Sequence, residues 1–466
     1  MPGRVVSALQ FFPRGGSAHV ARALARELPA HGWQVTVLSG SRSGLDGHGD
    51  ARAFYAGVDV RAVDFDGALS APEPLDPPAD CAPMHPSYED RPGAPDAVFA
   101  ALGDAALERQ VDAWAQALAG AGAADADALH LHHLTPLNAA AARVAPDVPV
   151  VGHLHGTELL MLEQIAAGAP WPHGQAWARR MRAWAGACER LVLLSRSQIE
   201  RATRLLGVDP ARCVVLPNGF EPGRMGRVAV DRAAHWHEHL VERPRGWRPG
   251  AGPGTVRYGA EQAAALADGP VIVSVGRFTS VKRTPLLIEA FASARERFCE
   301  PASLVLVGGH PGEWEGEHPA KTVERIGAGR VYLAGWHDHD TLPAFLSAAD
   351  VLALASVREQ FGQVLVEAMA AGLPLIAVDR FGPAEIVEPG VTGWLVEPDD
   401  AAGLADALVA AVNDPAERAR RGAAARAAAV ERYAWPSLAG RLARTLDEVV
   451  SERRAGRTPP RCRAPA

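Results

Sequence analysis

Two carboxylates, Glu359 and Glu367, bracket a Phe361-Gly362 pair in the stretch SVREQFGQVLVEAMAA, residues 356–371. A carboxylate repels phosphate but accepts hydrogen bonds from sugar hydroxyls. A glycine turn at the start of a helix instead offers unpaired amides and a partial positive charge to an anion. With Glu359 at the mouth of the loop and Glu367 about two helical turns along it, the ligand that fits carries phosphates in the middle and hydroxyls at both ends. That is the chemistry of a nucleotide-sugar. The elements that must position these groups are a strand, a tight loop and a short helix. The apolar run DVLALAS (350–356) leads in, and Val364, Leu365, Ala368 and Met369 recur at helical spacing. Gly372 suits a left-handed cap and Pro374 forbids continuation.

A second group of charges follows another expected strand. In PVIVSVGRFTSVKR, which begins at Pro270, the loop holds Arg277 and Lys282, and Thr284-Pro285 is expected to supply the N-cap and first-turn proline of the next helix. Two fixed cations beside two helix N-termini make an anion site. Gly308-Gly309 closes the following strand, SLVLV, ahead of an acidic loop with Glu313, Glu315 and Glu317. That loop falls on the edge where open α/β sheets bind ligands. Near the N-terminus, Arg4–Leu9 reads as a buried strand and Gly15-Gly16 opens an amphipathic helix before a strand over Trp33–Ser39. Such a β-loop-α-β unit lets backbone approach a ligand. Histidines alternate along two further strands, His130 and His132 in ALHLHHL, then His153 and His155 in VPVVGHLHGTE. Period-two spacing puts each pair on one face of its strand. Four such rings invite zinc, but no cysteine or carboxylate cluster completes a site, and no metal is expected.

EQFGQVLVEAMAAG resembles the E-x7-E signature of retaining glycosyltransferases of family 4, whose α/β GT-B architecture sets two Rossmann-like, doubly wound domains facing across a cleft. The resemblance implies that Glu359 contacts the transferred sugar and Glu367 holds the ribose. It also implies that the backbone after Phe361-Gly362, with Val364 and Leu365, meets the donor diphosphate. Arg277 and Lys282 match the family's GR-x4-K element, which binds the same diphosphate. Gly15 and Gly16 correspond to a loop between donor phosphates and acceptor, and Gly309 falls on the donor side. Tyr332 to Trp336 resembles the strand and loop that cover the base. His155, in HGTE, resembles the histidine loop beside the reacting sugar and is the candidate for contact with the hexose. The implied reaction moves a hexosyl group from a nucleoside diphosphate sugar to a hydroxyl acceptor with retained configuration. No second carboxylate is placed for a double displacement. The resemblance therefore implies front-face attack, with Arg277, Lys282 and the helix N-terminus at Gly362 stabilising the leaving diphosphate. Two other readings stand beside it: a catalytically silent GT-B sugar-nucleotide-binding protein, and a sugar-nucleotide epimerase of related architecture, which would not need an E-x7-E pair.

At 466 residues, 48% hydrophobic and 22% charged, the chain can hold about two to three domains with real cores. An N-terminal acceptor domain is expected over 1–222. It would contain a proline-rich insertion at 41–96, a short hairpin around Tyr55–Asp66 and a helix from Asp96 to Ala119. A linker insertion over 223–269 carries Trp236, Arg243, Arg245, Trp247 and Arg248, which would clamp a ligand or brace a hinge. The nucleotide-sugar-binding domain follows over 270–435, then a helix over 436–455 crossing back to the first domain, and a flexible tail at 456–466. A net charge of −7 argues against bulk nucleic-acid binding, although Arg453, Arg454, Arg457, Arg461 and Arg463 make the C-terminus basic. Five scattered cysteines, an odd number without metal-type pairing, fit a reducing cytosol. The opening MPGRVVSALQFF has too short an apolar run for a signal peptide, and no stretch reaches spanning length. A cytoplasmic protein is expected, with peripheral membrane contact left open. Its partners would be the nucleotide-sugar donor, with no further cofactor, and an acceptor that is a small molecule, lipid-linked or a polysaccharide.

Overall fold

Short runs rich in Val, Leu and Ile, apolar on both faces, form parallel strands that must be covered on both sides. In the computed structural model, which describes residues 2–13, 15–44, 49–89 and 97–456, they build one sheet in each of two units. The first unit is Met1–Asn218 with Trp435–Ala466, and the second is Gly219–Ala434.

The first sheet comprises β1 (Gly3–Leu9), β2 (Trp33–Ser41), β3 (Asp59–Asp64), β4 (Ala128–His132), β5 (Val150–His153), β6 (Arg190–Leu193) and β7 (Cys213–Val215). Its order is β3-β2-β1-β4-β5-β6-β7, parallel throughout. The second comprises β8 (Val271–Val275), β9 (Ser303–Val307), β10 (Val331–Gly335), β11 (Val351–Leu354), β12 (Leu375–Val378) and β13 (Gly393–Val396). Its order is β10-β9-β8-β11-β12-β13, again parallel. Strand order reverses between β1 and β4 in one sheet and between β8 and β11 in the other. Chains leaving those neighbours turn to opposite sides, which opens a crevice at their carboxyl ends. Both units are thus doubly wound.

Several local expectations change. No hairpin forms over Tyr55–Asp66: a helix, Ala51–Phe54, returns the chain so that β3 runs parallel to β2, with Tyr55 fully buried behind it. The helix expected from Asp96 spans Asp104–Gly120, because Phe99–Ala101 makes a tight turn in which Phe99 stacks on Trp177 at 4.8 Å. Asp96 itself lies outside the described residues, as do 90–95. Thr284 is not an N-cap. Arg283, in a left-handed conformation (φ 52°), occupies that position, and the helix Thr284–Ala294 has no side-chain cap. Tail residues 457–466, including Arg457, Arg461, Cys462 and Arg463, also lie outside the described residues. Cys81, Cys188, Cys213 and Cys299 are unpaired.

Segment 223–269 packs within the second unit. The helix Arg232–His237 continues as a π-turn to Glu242, and Arg232 donates to the Gly269 carbonyl and to Asp350, both at 2.7 Å. Trp236 and Trp247 are fully buried, so they brace the fold and cannot clamp a ligand. Arg245 bridges to Gly335, covering the outer edge of β10. At the other end of the chain, the helix Trp435–Arg454 packs into the first unit. Leu438, Leu442, Leu446 and Val449 bury one stripe against Val5, Val20, Leu24 and Val37. Arg190 and Glu452 pair at 2.7 Å, and Arg454 reaches Asp127 at 2.7 Å. No helix of the described residues is long and apolar enough to cross a membrane.

Leu446 is completely buried, so Leu446→Ala is expected to lower the stability of the first unit by about 2–5 kcal/mol. Chemical denaturation followed by a probe confined to that unit measures it. A change below about 0.5 kcal/mol would show that this helix is not part of the first core.

Candidate active site

In the second unit the loops leaving β8 and β11, the two strands at the reversal, meet directly. Lys282 donates to Glu359 across 77 residues of sequence, with their side chains 20% and 16% exposed. The surrounding backbone ties the loops together: the Val357 amide donates to the Val281 carbonyl at 2.9 Å and Ser356 Oγ to the same carbonyl at 3.1 Å. From the loop after β9, Glu315 accepts from both the amide and hydroxyl of Ser280, at 3.0 and 2.9 Å. These two bonds, followed by the nearby Arg277 and Arg358 charges, hold the Glu315 carboxyl below its usual range. Glu315 therefore clamps the cationic loop, and Arg277 lies beside it. A cavity of about 290 Å³ opens next to this loop, lined by Phe278, Ser280, Thr284, Glu315 and Pro319.

Glu367 points from the helix Gln363–Ala370 and is 4% exposed, so it needs a partner; His339 Nε2 supplies one at 2.8 Å. Gly362 caps this helix with φ 97°, a conformation that favours glycine. The Leu365 amide donates to the Gly362 carbonyl at 2.9 Å, closing the first turn, and the Leu365 side chain is buried. Open first-turn amides therefore belong to Gln363 and Val364. Phe361 is buried and meets Tyr433 edge-on at 6.1 Å. Gly309 (φ 70°) leaves no room for a side chain: an added Cβ would lie 2.2 Å from the Phe278 ring. Its amide donates to Gly276 at 3.1 Å and its carbonyl accepts from Trp247 Nε1 at 2.8 Å.

The first unit places its candidates at its own strand reversal. Gly15 caps the helix Gly16–Glu27 in an extended conformation, and nothing lies within 4 Å of a Cβ built at Gly15 or Gly16, so packing does not require either glycine. His155 sits in the loop beyond β5, not on the strand, and its Nε2 bonds His132 Nδ1 at 3.0 Å. His130 Nε2 contacts His153 Nδ1 at 3.1 Å. Burial, reinforced by neighbouring rings, keeps His132, His153 and His155 well below the usual histidine pKa, and burial brings His130 to about 4. All four are neutral at pH 7. Donor atoms of His130, His132 and His153 lie within 4.8 Å of one another. A wide hollow of about 950 Å³ near Arg4, Trp33 and Asp59 lies at the amino ends of β1–β3, the wrong edge for a ligand of an open α/β sheet.

Sequence reasoning passed over Glu158, His339 and Ser7, and named Glu315 and Trp247 without the contacts they make. Glu158 accepts from the His155 amide at 3.1 Å and from His133 Nδ1 at 2.6 Å. Its signal was present in HGTE, a side chain reaching back three residues to a backbone amide as in a capping box. The others depend on contacts between distant loops and leave no local pattern.

A family model described as "Glycosyl transferases group 1" matches residues 260–428, and one described as "Glycosyltransferase Family 4" matches residues 14–224. The chain is similar to a glycogen synthase of Mycobacterium tuberculosis, 30% identical over 322 residues, 67% of this chain and 66% of that protein. The matched part is thus just under two thirds of the synthase's length. It is also similar to a D-inositol 3-phosphate glycosyltransferase of Xylanimonas cellulosilytica, 28% identical over 68% of this chain and 70% of that protein. Among solved structures, sucrose-phosphate synthase from Thermosynechococcus elongatus superposes with TM-score 0.64 at 20% identity, covering 96% of this chain and 99% of that one. HepE from Anabaena, in complex with UDP and glucose, gives 0.62 at 19% identity, covering 96% and 100%. At these identities the likeness concerns the fold.

The His339–Glu367 contact has a pH signature. The Glu367 hydrogen bond raises the His339 pKa above its ordinary 6.5, with Glu367 and Asp340 charges adding to the rise and burial and Arg224 opposing it. A raised folded-state value means that the contact adds stability below the unfolded pKa and loses it as pH rises through the folded one. On the ribose role expected of Glu367, a ligand hydroxyl competes with His339 for this carboxylate, so nucleoside diphosphate affinity is expected to increase as pH rises past 6.5. His339→Gln should flatten that dependence and tighten binding at low pH by about tenfold or less. Titration calorimetry across pH checks this; parallel pH profiles for the two proteins would refute it.

Proposed function

Because the chain belongs to the glycosyltransferases described by those two family models and has the GT-B fold, we propose that it transfers a hexosyl group from a nucleoside diphosphate sugar to a hydroxyl acceptor with retention of configuration. The observation that carries this reading is the Lys282–Glu359 pair at the carboxyl ends of β8 and β11, a few residues from the open amides at Gln363 and Val364. Without ligand, the ammonium and the carboxylate neutralise each other in a half-buried setting. A diphosphate draws Lys282 to itself, together with Arg277 and the helix N-terminus, and releases Glu359 to accept from a sugar hydroxyl. Glu367 exchanges His339 for the ribose in the same way. As the glycosidic bond breaks, negative charge grows on the leaving phosphate, where those cations and amides are already aimed.

Retention by front-face attack is supported by how the site's carboxylates are engaged. With the donor bound, Glu359 and Glu367 accept from sugar hydroxyls and Glu315 accepts from Ser280, so each of the three has a role other than second nucleophile. The cationic role falls to Arg277, Lys282 and backbone amides, so we read the reaction as metal-free and acting on cytoplasmic nucleotide-sugar pools. Full activity is expected after exhaustive chelation, and loss of activity restored by a divalent cation would contradict that. A thermal-shift panel of UDP-, GDP- and ADP-sugars identifies the donor through the stabilisation it brings. NMR of the product fixes its anomeric configuration. Lys282→Ala should reduce transfer by about a hundred- to a thousandfold with an unchanged circular dichroism spectrum. Normal turnover in that variant overturns the proposal, and donor binding without turnover in the wild-type protein would mean a silent binder.

A further inference from the structure

Five histidines crowd the reversal point of the first sheet, and ring nitrogens of four of them are bonded in sequence through Ser7. His153 Nδ1 lies 3.1 Å from His130 Nε2, His130 Nδ1 is 3.4 Å from Ser7 Oγ, Ser7 Oγ is 3.3 Å from His132 Nε2, and His132 Nδ1 is 3.0 Å from His155 Nε2. Strand register makes this possible, since Ser7 on β1 is paired with His130 on β4, and His132 with His153 on β5. We propose that Ser7, His130, His132 and His153 form a one-way hydrogen-bond chain that holds His155 in the tautomer protonated on Nδ1, so that His155 faces the transferred sugar as a donor.

The direction follows from counting protons. A neutral imidazole has one N–H and one lone pair, so a ring bonded through both nitrogens donates with one and accepts with the other. Ser7 is buried and its hydroxyl meets only these two rings among the described residues, so its O–H donates to one ring and its oxygen accepts from the other; fixing one ring therefore fixes them all. The inner end is His153 Nε2, which is buried and has no partner. Were the chain to run inward, that atom would be an N–H with no acceptor. Run outward, it is a bare lone pair, the cheaper orphan. Hence His153 Nδ1–H donates to His130, His130 Nδ1–H to Ser7, the Ser7 hydroxyl to His132, and His132 Nδ1–H to His155 Nε2. The proton of His155 is left on Nδ1. Burial keeps each ring neutral, as the scheme requires. The loop backbone is fixed independently, by the bond from the His155 amide to Glu158. His155 also stacks on His153 at 4.6 Å and 9° and lies 4.5 Å from His133, which bonds Glu158 outside the chain. His130, His132 and His153 are thus positioning residues, and so is Ser7. Only the sugar contact rests on the function proposed above.

Free histidine prefers its proton on Nε2, so the expectation is an unusual one. In the full-length protein labelled with 15N-histidine, long-range 1H–15N correlations should report the Nδ1-protonated tautomer for His130, His132, His153 and His155, assigned with single His→Gln variants. Ser7→Ala cuts the chain without removing a ring and should return His155 to an Nε2-protonated or mixed signal. In the same variant the donor KM should rise about five- to tenfold with a smaller change in kcat, and Ser7→Thr should restore both. Nε2-protonated rings in the wild-type protein, or a His155 signal indifferent to Ser7→Ala, overturns the chain. So does one equivalent of metal retained through purification and lost in His130→Gln, since the lone pairs would then be ligands. If the tautomers are as expected but His155→Phe keeps a wild-type donor KM, the chain stands and the sugar contact fails.

Discussion

An interior strand of a parallel sheet covered on both faces has little room for charge, and this constraint organises the end of the second sheet. Within β8 and β11 every side chain is apolar or small, so charged groups gather where the strands stop. Strand order reverses at these two, so the departing loops are not in each other's way, and one brings a cation and the other an acid to the same point. The Val281 carbonyl, bonded by both the Val357 amide and Ser356, and Glu315, bonded twice by Ser280, fix the loops on which those charges ride. A cation on a loop without such ties would be a solvated point charge. Here the anchoring is what turns it into part of a site.

Partly buried charges are costly unless compensated, and two pairs in the second unit show the compensation: Lys282 with Glu359 and Glu367 with His339. On the function proposed above, a ligand of the right chemistry would exchange partners and leave no charge uncompensated, with an anion on the cation and hydroxyls on the acids. A free phosphate would then capture Lys282 and strand Glu359, whereas a phosphate with a sugar attached would satisfy both.

How much of this was legible in the sequence depended on distance along the chain. Glu359 and Glu367 sit on one loop and helix, Arg277 and Lys282 on one loop, and the strands before them are short apolar runs, so local pattern was enough to put these residues beyond strand ends, while their expected roles came from the family resemblance. What could not be read were closures between loops far apart: Lys282 to Glu359 across 77 residues, Ser280 to Glu315 across 35 and Trp247 to Gly309 across 62. The hairpin expected at Tyr55–Asp66 failed for a related reason. Turn residues announce that the chain reverses, but whether the next strand returns antiparallel or parallel depends on the helix Ala51–Phe54 packing against the sheet. Leu365 shows the finer limit, because which first-turn amide stays open is settled by a single bond to Gly362.

Segment 223–269 shapes the end of the second sheet without carrying any of its motifs. Arg245 bridges to Gly335 at the end of β10, the Gly308 amide donates to the Gly335 carbonyl at 2.7 Å, and Trp247 holds the Gly309 carbonyl from below while packing on Phe278 and His318. The loop after β9 is therefore shaped by a neighbour that carries none of the charged site residues. Trp247 is fully buried, so its replacement by a smaller side chain would open a cavity directly beneath a glycine that tolerates no Cβ. The position of Gly309 is then a compromise between strand β8, whose following residue Gly276 accepts the Gly309 amide, and this buried indole. Substitutions in this segment would therefore reshape the loop after β9 while leaving Arg277, Lys282, Glu359 and Glu367 unchanged.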